Sequence, residues 1–137
     1  MKRLFAFMGI VVALVIVSSA SGAKPAANWS VKPTKLNFGS VPSAGDQGVL
    51  PVTVTNTSSA TGMVAGWHSV SGDQADFAVQ GSSSCLFPNP PVNVPPGGSC
   101  ELDFAFNPQT AGTFKATFQI DLNPGPPVQI SLSGRGT

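Results

Sequence analysis

Cys100-Glu101-Leu102-Asp103-Phe104-Ala105-Phe106, Asn107-Pro108-Gln109-Thr110-Ala111-Gly112 and Thr113-Phe114-Lys115-Ala116-Thr117-Phe118-Gln119-Ile120-Asp121-Leu122 decide the fold between them. In the first run Leu102, Phe104 and Phe106 share one side, and Glu101, Asp103 and Ala105 the other. In the third, Phe114, Ala116, Phe118, Ile120 and Leu122 alternate with Thr113, Lys115, Thr117, Gln119 and Asp121. Strand side chains alternate between faces, so each run reads as a half-buried strand. The middle run carries a proline and a glycine and has the length of a hairpin loop. A lone hairpin is not stable in water, and this one has a Phe-rich face that needs a second sheet.

Working outward, the same alternation recurs. Leu50, Val52 and Val54 oppose Pro51, Thr53 and Thr55 within Val49 to Asn56. Val128, Ile130 and Leu132 oppose Gln129, Ser131 and Ser133. Met63 to Val70 is a weaker strand with two registers. The one that faces Met63, Ala65 and Trp67 inward is preferred, because it buries the tryptophan. Phe77 and Val79 anchor a short strand. Val31 to Phe38 contains Pro33, which cannot donate to a ladder, and reads as an edge strand or a broken one. Gly81 to Gly98 reads as an irregular, proline-rich loop. The result is about seven strands. With 15 Gly, 13 Pro and no helical periodicity past the N-terminus, the class is all-β. The size and strand count suit one immunoglobulin-like antiparallel β-sandwich.

The N-terminus reads as a targeting segment. Lys2 and Arg3 precede the apolar run Leu4 to Val17, and small residues follow at Ser21 and Ala23. This is a signal peptide over residues 1–23, with a second acceptable cleavage point after Ala20. The run is shorter than the ~20 residues of a spanning helix. No cysteine follows it to carry a lipid, and no other long apolar run would anchor the mature chain to a membrane. Residues 24–30 read as a short tail, and 31–137 as the sandwich domain. After cleavage five bases face six acids, a net charge of −1, so nucleic acid is not an expected partner.

Cys85 and Cys100 are the two cysteines. In an exported chain an even count reads as one disulfide, and their spacing matches neither a redox Cys-x-x-Cys nor a zinc framework. His68 is the one histidine, too few for a copper or zinc site, so no cofactor or metal is expected. Glu101 and Asp103 share an outer face about 7 Å apart, a separation compatible with a carboxylate pair, but they read as a solubilising surface. No serine has a visible base partner. Asn28-Trp29-Ser30 and Asn56-Thr57-Ser58 match the glycosylation pattern.

Several of these patterns together resemble the bacterial choice-of-anchor D domain, a relative of the ASPM–SPD–Hydin (ASH) immunoglobulin-like modules. The resemblance runs through Leu36-Asn37-Phe38-Gly39-Ser40-Val41, Val52-Thr53-Val54-Thr55-Asn56-Thr57 and Asp76-Phe77-Ala78-Val79. It continues through Cys85, Pro96-Gly97-Gly98-Ser99-Cys100, Phe104-Ala105-Phe106-Asn107-Pro108, and Leu132-Ser133-Gly134-Arg135-Gly136. It implies a seven-stranded sandwich in exported or surface proteins, with no catalytic residues. The function expected is therefore a non-catalytic structural or protein-interaction module of the cell envelope or extracellular space. Its partner would be another envelope or surface protein. The edge Val31 to Phe38 and the apolar loop 86–98, with Phe87, Val92 and Val94, are the candidate contacts. The same loop also reads as a lid folded over the sandwich end. The alternative class is a small secreted carbohydrate-binding module.

Overall fold

The computed structural model describes residues 28–87 and 89–137; the segment read as a signal peptide and most of the tail lie outside them. Nine strands run in chain order: β1 (Trp29–Lys32), β2 (Lys35–Val41), β3 (Gly48–Asn56), β4 (Gly62–Gly72), β5 (Phe77–Val79), β6 (Val92–Val94), β7 (Ser99–Phe106), β8 (Gly112–Asn123) and β9 (Val128–Gly136). One sheet is ordered β1-β3-β7-β5 and the other β2-β9-β8-β4-β6. The all-β sandwich is as expected from alternation, with two strands more than seven.

Both additions have local causes. Pro33 breaks the segment Val31 to Phe38, and the two halves join different sheets. β1 pairs antiparallel with β3, and β2 pairs parallel with β9. Trp29 starts β1 rather than belonging to a tail, and its Nε1 donates to the Pro124 carbonyl at 2.9 Å. The second addition is β6, three residues inside the segment read as loop, which pair with the start of β4.

The expected hairpin is not formed. β7 lies between β3 and β5, whereas β8 lies between β9 and β4 in the opposite sheet. Their Phe-rich faces cover each other: the Phe104 and Phe118 rings meet edge-on at 5.5 Å. As sheet neighbours, both faces would have required a third element to bury them. Asn107 to Ala111 is thus an arch between sheets. It is held by donation from the Asn107 amide to the Asp76 carbonyl and from the Gln109 amide to Asp76 Oδ1.

The inward residues of β7, β8 and β9 are those the alternation names, and Leu102, Phe104, Phe106, Ile120 and Ile130 are fully buried. β4 follows neither single register. Its pairing with β8 slips between Val64 and Gly66 and again between Ser69 and Ser71. Each bulge shifts the alternation by one residue. Val64 therefore faces the core before the first bulge, Ala65 is exposed, and Trp67 packs inward after it, 6.0 Å from Phe118.

The disulfide joins Cys85, on a single 3-10 turn over Ser84–Leu86, to Cys100 near the start of β7. It closes a span of 15 residues, worth roughly 3 kcal/mol through loss of unfolded-chain freedom. Cys85→Ser should lower stability by about 2–4 kcal/mol in urea unfolding. An unchanged midpoint would mean that the crosslink adds nothing.

Candidate functional site

The segment from Gly81 to Gly98 is built from its polar ends inward. Ser83 is buried; its hydroxyl donates to the Gln80 carbonyl at 2.6 Å and accepts from the Asp103 amide at 2.8 Å. Ser84 Oγ accepts from the Glu101 amide at 2.8 Å. These bonds and the disulfide fasten residues 83–86 along β7. At the far end Asn56 and Gly98 exchange contacts: the Asn56 amide donates to the Gly98 carbonyl, and the Gly97 amide to the Asn56 carbonyl. Both anchors lie on the four-stranded sheet, and between them the chain crosses to pair as β6 in the other sheet and returns.

This arrangement separates the three candidate contact residues. Val94 is a core residue of β6, Val92 is half-buried beside it, and Phe87 projects with 62% of its surface exposed. Leu86, next to Phe87, packs against the core. The segment is part edge strand, part fastened turn, with one aromatic ring left outside. Of the exposed large apolar residues among those described, Val49, Val70 and Phe87, the last is the one aromatic and the most exposed.

The residues weighed for chemistry do not converge. Glu101 is exposed, and Asp103 accepts weakly from Ser82 Oγ at 3.3 Å. His68 does meet an acid: its Nδ1 lies 3.2 Å from Asp121 Oδ2, both side chains being solvent-exposed. The other Asp121 oxygen accepts from Gln119 Nε2 at 2.9 Å. No serine hydroxyl is bonded to this pair; Ser69, the next residue, donates instead to Gln74. The pair is a solvent-exposed surface contact of the kind worth under about 1 kcal/mol. Among the described residues no cluster of three or more His, Cys, Asp or Glu could hold a metal.

Asn56, in one of the two glycosylation-pattern matches, serves the fold instead. It is fully buried, and its Nδ2 donates to the carbonyls of Ala60 and Val94. A glycan on that nitrogen is incompatible with the fold.

Sequence reading missed a second feature. The outer face of the five-stranded sheet carries a trough of about 520 Å³. It runs across β2, β9, β8 and the end of β4. Its polar side chains on β2, β8 and β9, Lys35, Asn37, Lys115, Thr117, Ser131 and Ser133, hold outward positions in alternating strands, and Leu36, Ala116 and Leu132 between them face the core. Their meeting depends on the parallel pairing of β2 with β9, which joins the two ends of the domain.

Comparison with solved structures gives the fold a context. The chain superposes on Vibrio cholerae VesB protease with a TM-score of 0.59 at 20% identity, covering 80% of this chain and 31% of that one. It superposes on an ASH/PapD-like domain of human CEP192 with a TM-score of 0.60 at 12% identity, covering 98% of both. A Porphyromonas gingivalis W83 protein of unknown function gives 0.60 at 16% identity over 78% of this chain and 46% of that one. At these identities the likeness is one of fold, and the chain spans about a third of VesB. No curated protein sequence matches the chain. A family model does match, over residues 27–135, nearly the whole described region: the chain belongs to the HYDIN/CFA65/VesB-like Ig-like domain family.

Proposed function

We propose that this chain is an exported, non-catalytic interaction module of the choice-of-anchor D type, working in the cell envelope or outside the cell. It presents the loop at Phe87 to another envelope or surface protein. The observation that carries the reading is the exposed Phe87 ring, set on a turn that a disulfide and two serine hydroxyls fasten to β7. Aromatic side chains, Phe among them, are enriched at the cores of protein interfaces. Support for export comes from the signal-like start and from the disulfide, which forms in oxidising compartments. The edges favour a loop over a strand as the contact. β5 and β6 have three residues each, β1 has four, and β2 is interrupted at Gly39 by a bulge closed by the Asn37 side chain. Such edges are poor templates for an added strand.

The carbohydrate-module alternative would ordinarily rest on exposed tryptophans. Trp29 and Trp67 are both packed against the core instead.

The reading is tested by placing a photocrosslinking amino acid at Phe87 in the native host, with Gln129 on the opposite sheet as control. A crosslinked product is expected from position 87 and not from 129. Phe87→Ala should weaken co-purification of that product at least tenfold while leaving the melting temperature unchanged. Equal products from both positions, or full binding by Phe87→Ala, would overturn the assignment.

A further inference from the structure

A second, smaller trough adjoins the first on the outer face of the five-stranded sheet, and the two share one row of side chains. That row is Asn37 of β2, Ser133 of β9 and Lys115 of β8, with Ser133 between the other two in the strand registers. Lys35 stands one outward position from Asn37 along β2 and lines the first trough. Arg135 stands one outward position from Ser133 along β9 and lines the second. With about 4.8 Å between strands and about 7 Å between successive outward residues, the Cα atoms of all four lie roughly 5 to 8 Å from that of Ser133. Three cations therefore surround one hydroxyl from different sides, each on a stem long enough to reach over it.

The described residues hold four lysines and arginines against six carboxylate side chains, and three of the four cations are these. Among the described residues none of the three is ion-paired; the one pair is His68 with Asp121, six residues along β8 from Lys115. Asp73, beside β8 here, turns its Oδ2 to the Lys115 backbone amide at 2.8 Å. Set against the three cations, it leaves a surplus of two positive charges. The neutral groups present donors. Asn37 Oδ1 accepts from the Gly39 amide at 2.9 Å, which leaves the Nδ2 donor to the trough. The Ser133 hydroxyl has only a long bond, 3.4 Å to the Leu36 carbonyl, and can turn to a better acceptor.

We infer that this face binds a phosphate monoester, with its phosphoryl group over Ser133 between Lys35, Lys115 and Arg135. A phosphoryl group carries a charge of about −1.5 to −2 and three acceptor oxygens, which matches the surplus and the donors on several sides. The Arg135 fork suits two of those oxygens at once, and each lysine supplies a point charge. A carboxylate brings one charge and two oxygens in one plane, and would leave donors unmet. A nucleic-acid diester brings one charge per phosphate. From the phosphoryl position the larger trough runs past Ser131 and Thr117 to Gly72, and its about 520 Å³ leaves room for the alcohol that the phosphate esterifies. This inference uses none of the residues around Phe87 and stands or falls apart from the protein-interaction reading.

The test follows amide NMR resonances of the full mature chain during titration with glycerol phosphate and with inorganic phosphate, against acetate and poly-glutamate at equal ionic strength. Saturable shifts are expected at Asn37, Lys115 and Ser133 with both phosphates, and acetate should bind at least about tenfold more weakly. Lys115→Gln and Arg135→Gln should each weaken glycerol phosphate by about tenfold or more, and Lys32→Gln, on the other sheet, by less than about twofold. Asn37→Asp separates the site from the fold. Its carboxylate still accepts from the Gly39 amide, so β2 keeps its bulge and the melting temperature should hold, while a negative charge replaces the donor and binding should be lost. Vesicles of phosphatidic acid in phosphatidylcholine identify the source of the ester. Sedimentation with them, competed by glycerol phosphate, assigns it to a membrane lipid; no sedimentation assigns it to a soluble molecule, and both support the site. Four results would overturn the inference: no saturable response to either phosphate, equal affinity for acetate, tighter binding of poly-glutamate, or wild-type affinity in Asn37→Asp or Lys115→Gln.

Discussion

Phe106→Ala should lower the stability of the domain by about 3–5 kcal/mol, the range for emptying an aromatic site in a well-packed core. Phe106 is fully buried on the central strand β7, with Gly48 of β3 on one side and Phe77 of β5 on the other. Its ring stacks on Phe77 at 4.8 Å and lies 5.7 and 5.8 Å from Phe38 and Phe114. Those three rings come from β5, β2 and β8, so one side chain joins both sheets. Directly across is Gly134 of β9, where any Cβ would enter the Phe106 ring. The pair makes a double-mutant test. Gly134→Ala alone should cost about 1–3 kcal/mol by overpacking. In the Phe106→Ala background the added methyl has room, and the same change should cost nothing or recover stability. The readout is the urea midpoint at constant slope. Additive losses would mean that the ring and the glycine are not in contact, and that the sheets are spaced differently here.

That contact also shows what alternation along a strand reveals and what it omits. Phe104, Phe106, Phe114 and Phe118 were legible as inward residues because polar neighbours mark the other face. Period-two patterning says which side of a strand is wet, and nothing about which strand is hydrogen-bonded to it. The run Asn107 to Ala111 could serve as a hairpin loop or as an arch. Only the need of two Phe-rich faces for mutual cover decides between them, and that is a property of the pair. In β4, one unpaired residue at each of two bulges put Val64 and Trp67 on the same side against a strict two-residue count. The patterning was present but interrupted, and a single register had to fail at one end. The break at Pro33 was visible because proline's missing N–H is a local fact. The cationic trough was not, because Lys35 and Arg135 lie a hundred residues apart and meet only through the parallel β2–β9 pairing.

The second large effect is expected at a polar residue. Asn56 ends β3 with its side chain fully buried, where a polar group survives only if each of its atoms is partnered. The amide nitrogen reaches the Ala60 carbonyl at 2.8 Å and the Val94 carbonyl at 2.9 Å. The amide oxygen accepts from the Ser58 amide at 2.9 Å and the Ser58 hydroxyl at 2.7 Å. One side chain thus closes the turn after β3 and fastens β6, on the opposite sheet, to the end of β3. Asn56→Leu keeps the volume and removes the four bonds, leaving the Val94 carbonyl buried without its donor. Four bonds at about 0.5–1.5 kcal/mol net each, with one carbonyl stranded in the core, put the expected loss near 4 kcal/mol. Asn56→Asp separates shape from chemistry. It retains the acceptor for Ser58 but has no donor for Val94 and places a charge in the core, so it should be at least as damaging. Hydrogen exchange gives the local signature. Amides around Val92 to Val94 should lose protection first in both variants, because β6 has only three residues of pairing to hold it once Asn56 lets go. If Asn56→Leu unfolds at the wild-type midpoint with β6 still protected, the link between the sheets at this corner is made by packing of Val94 alone.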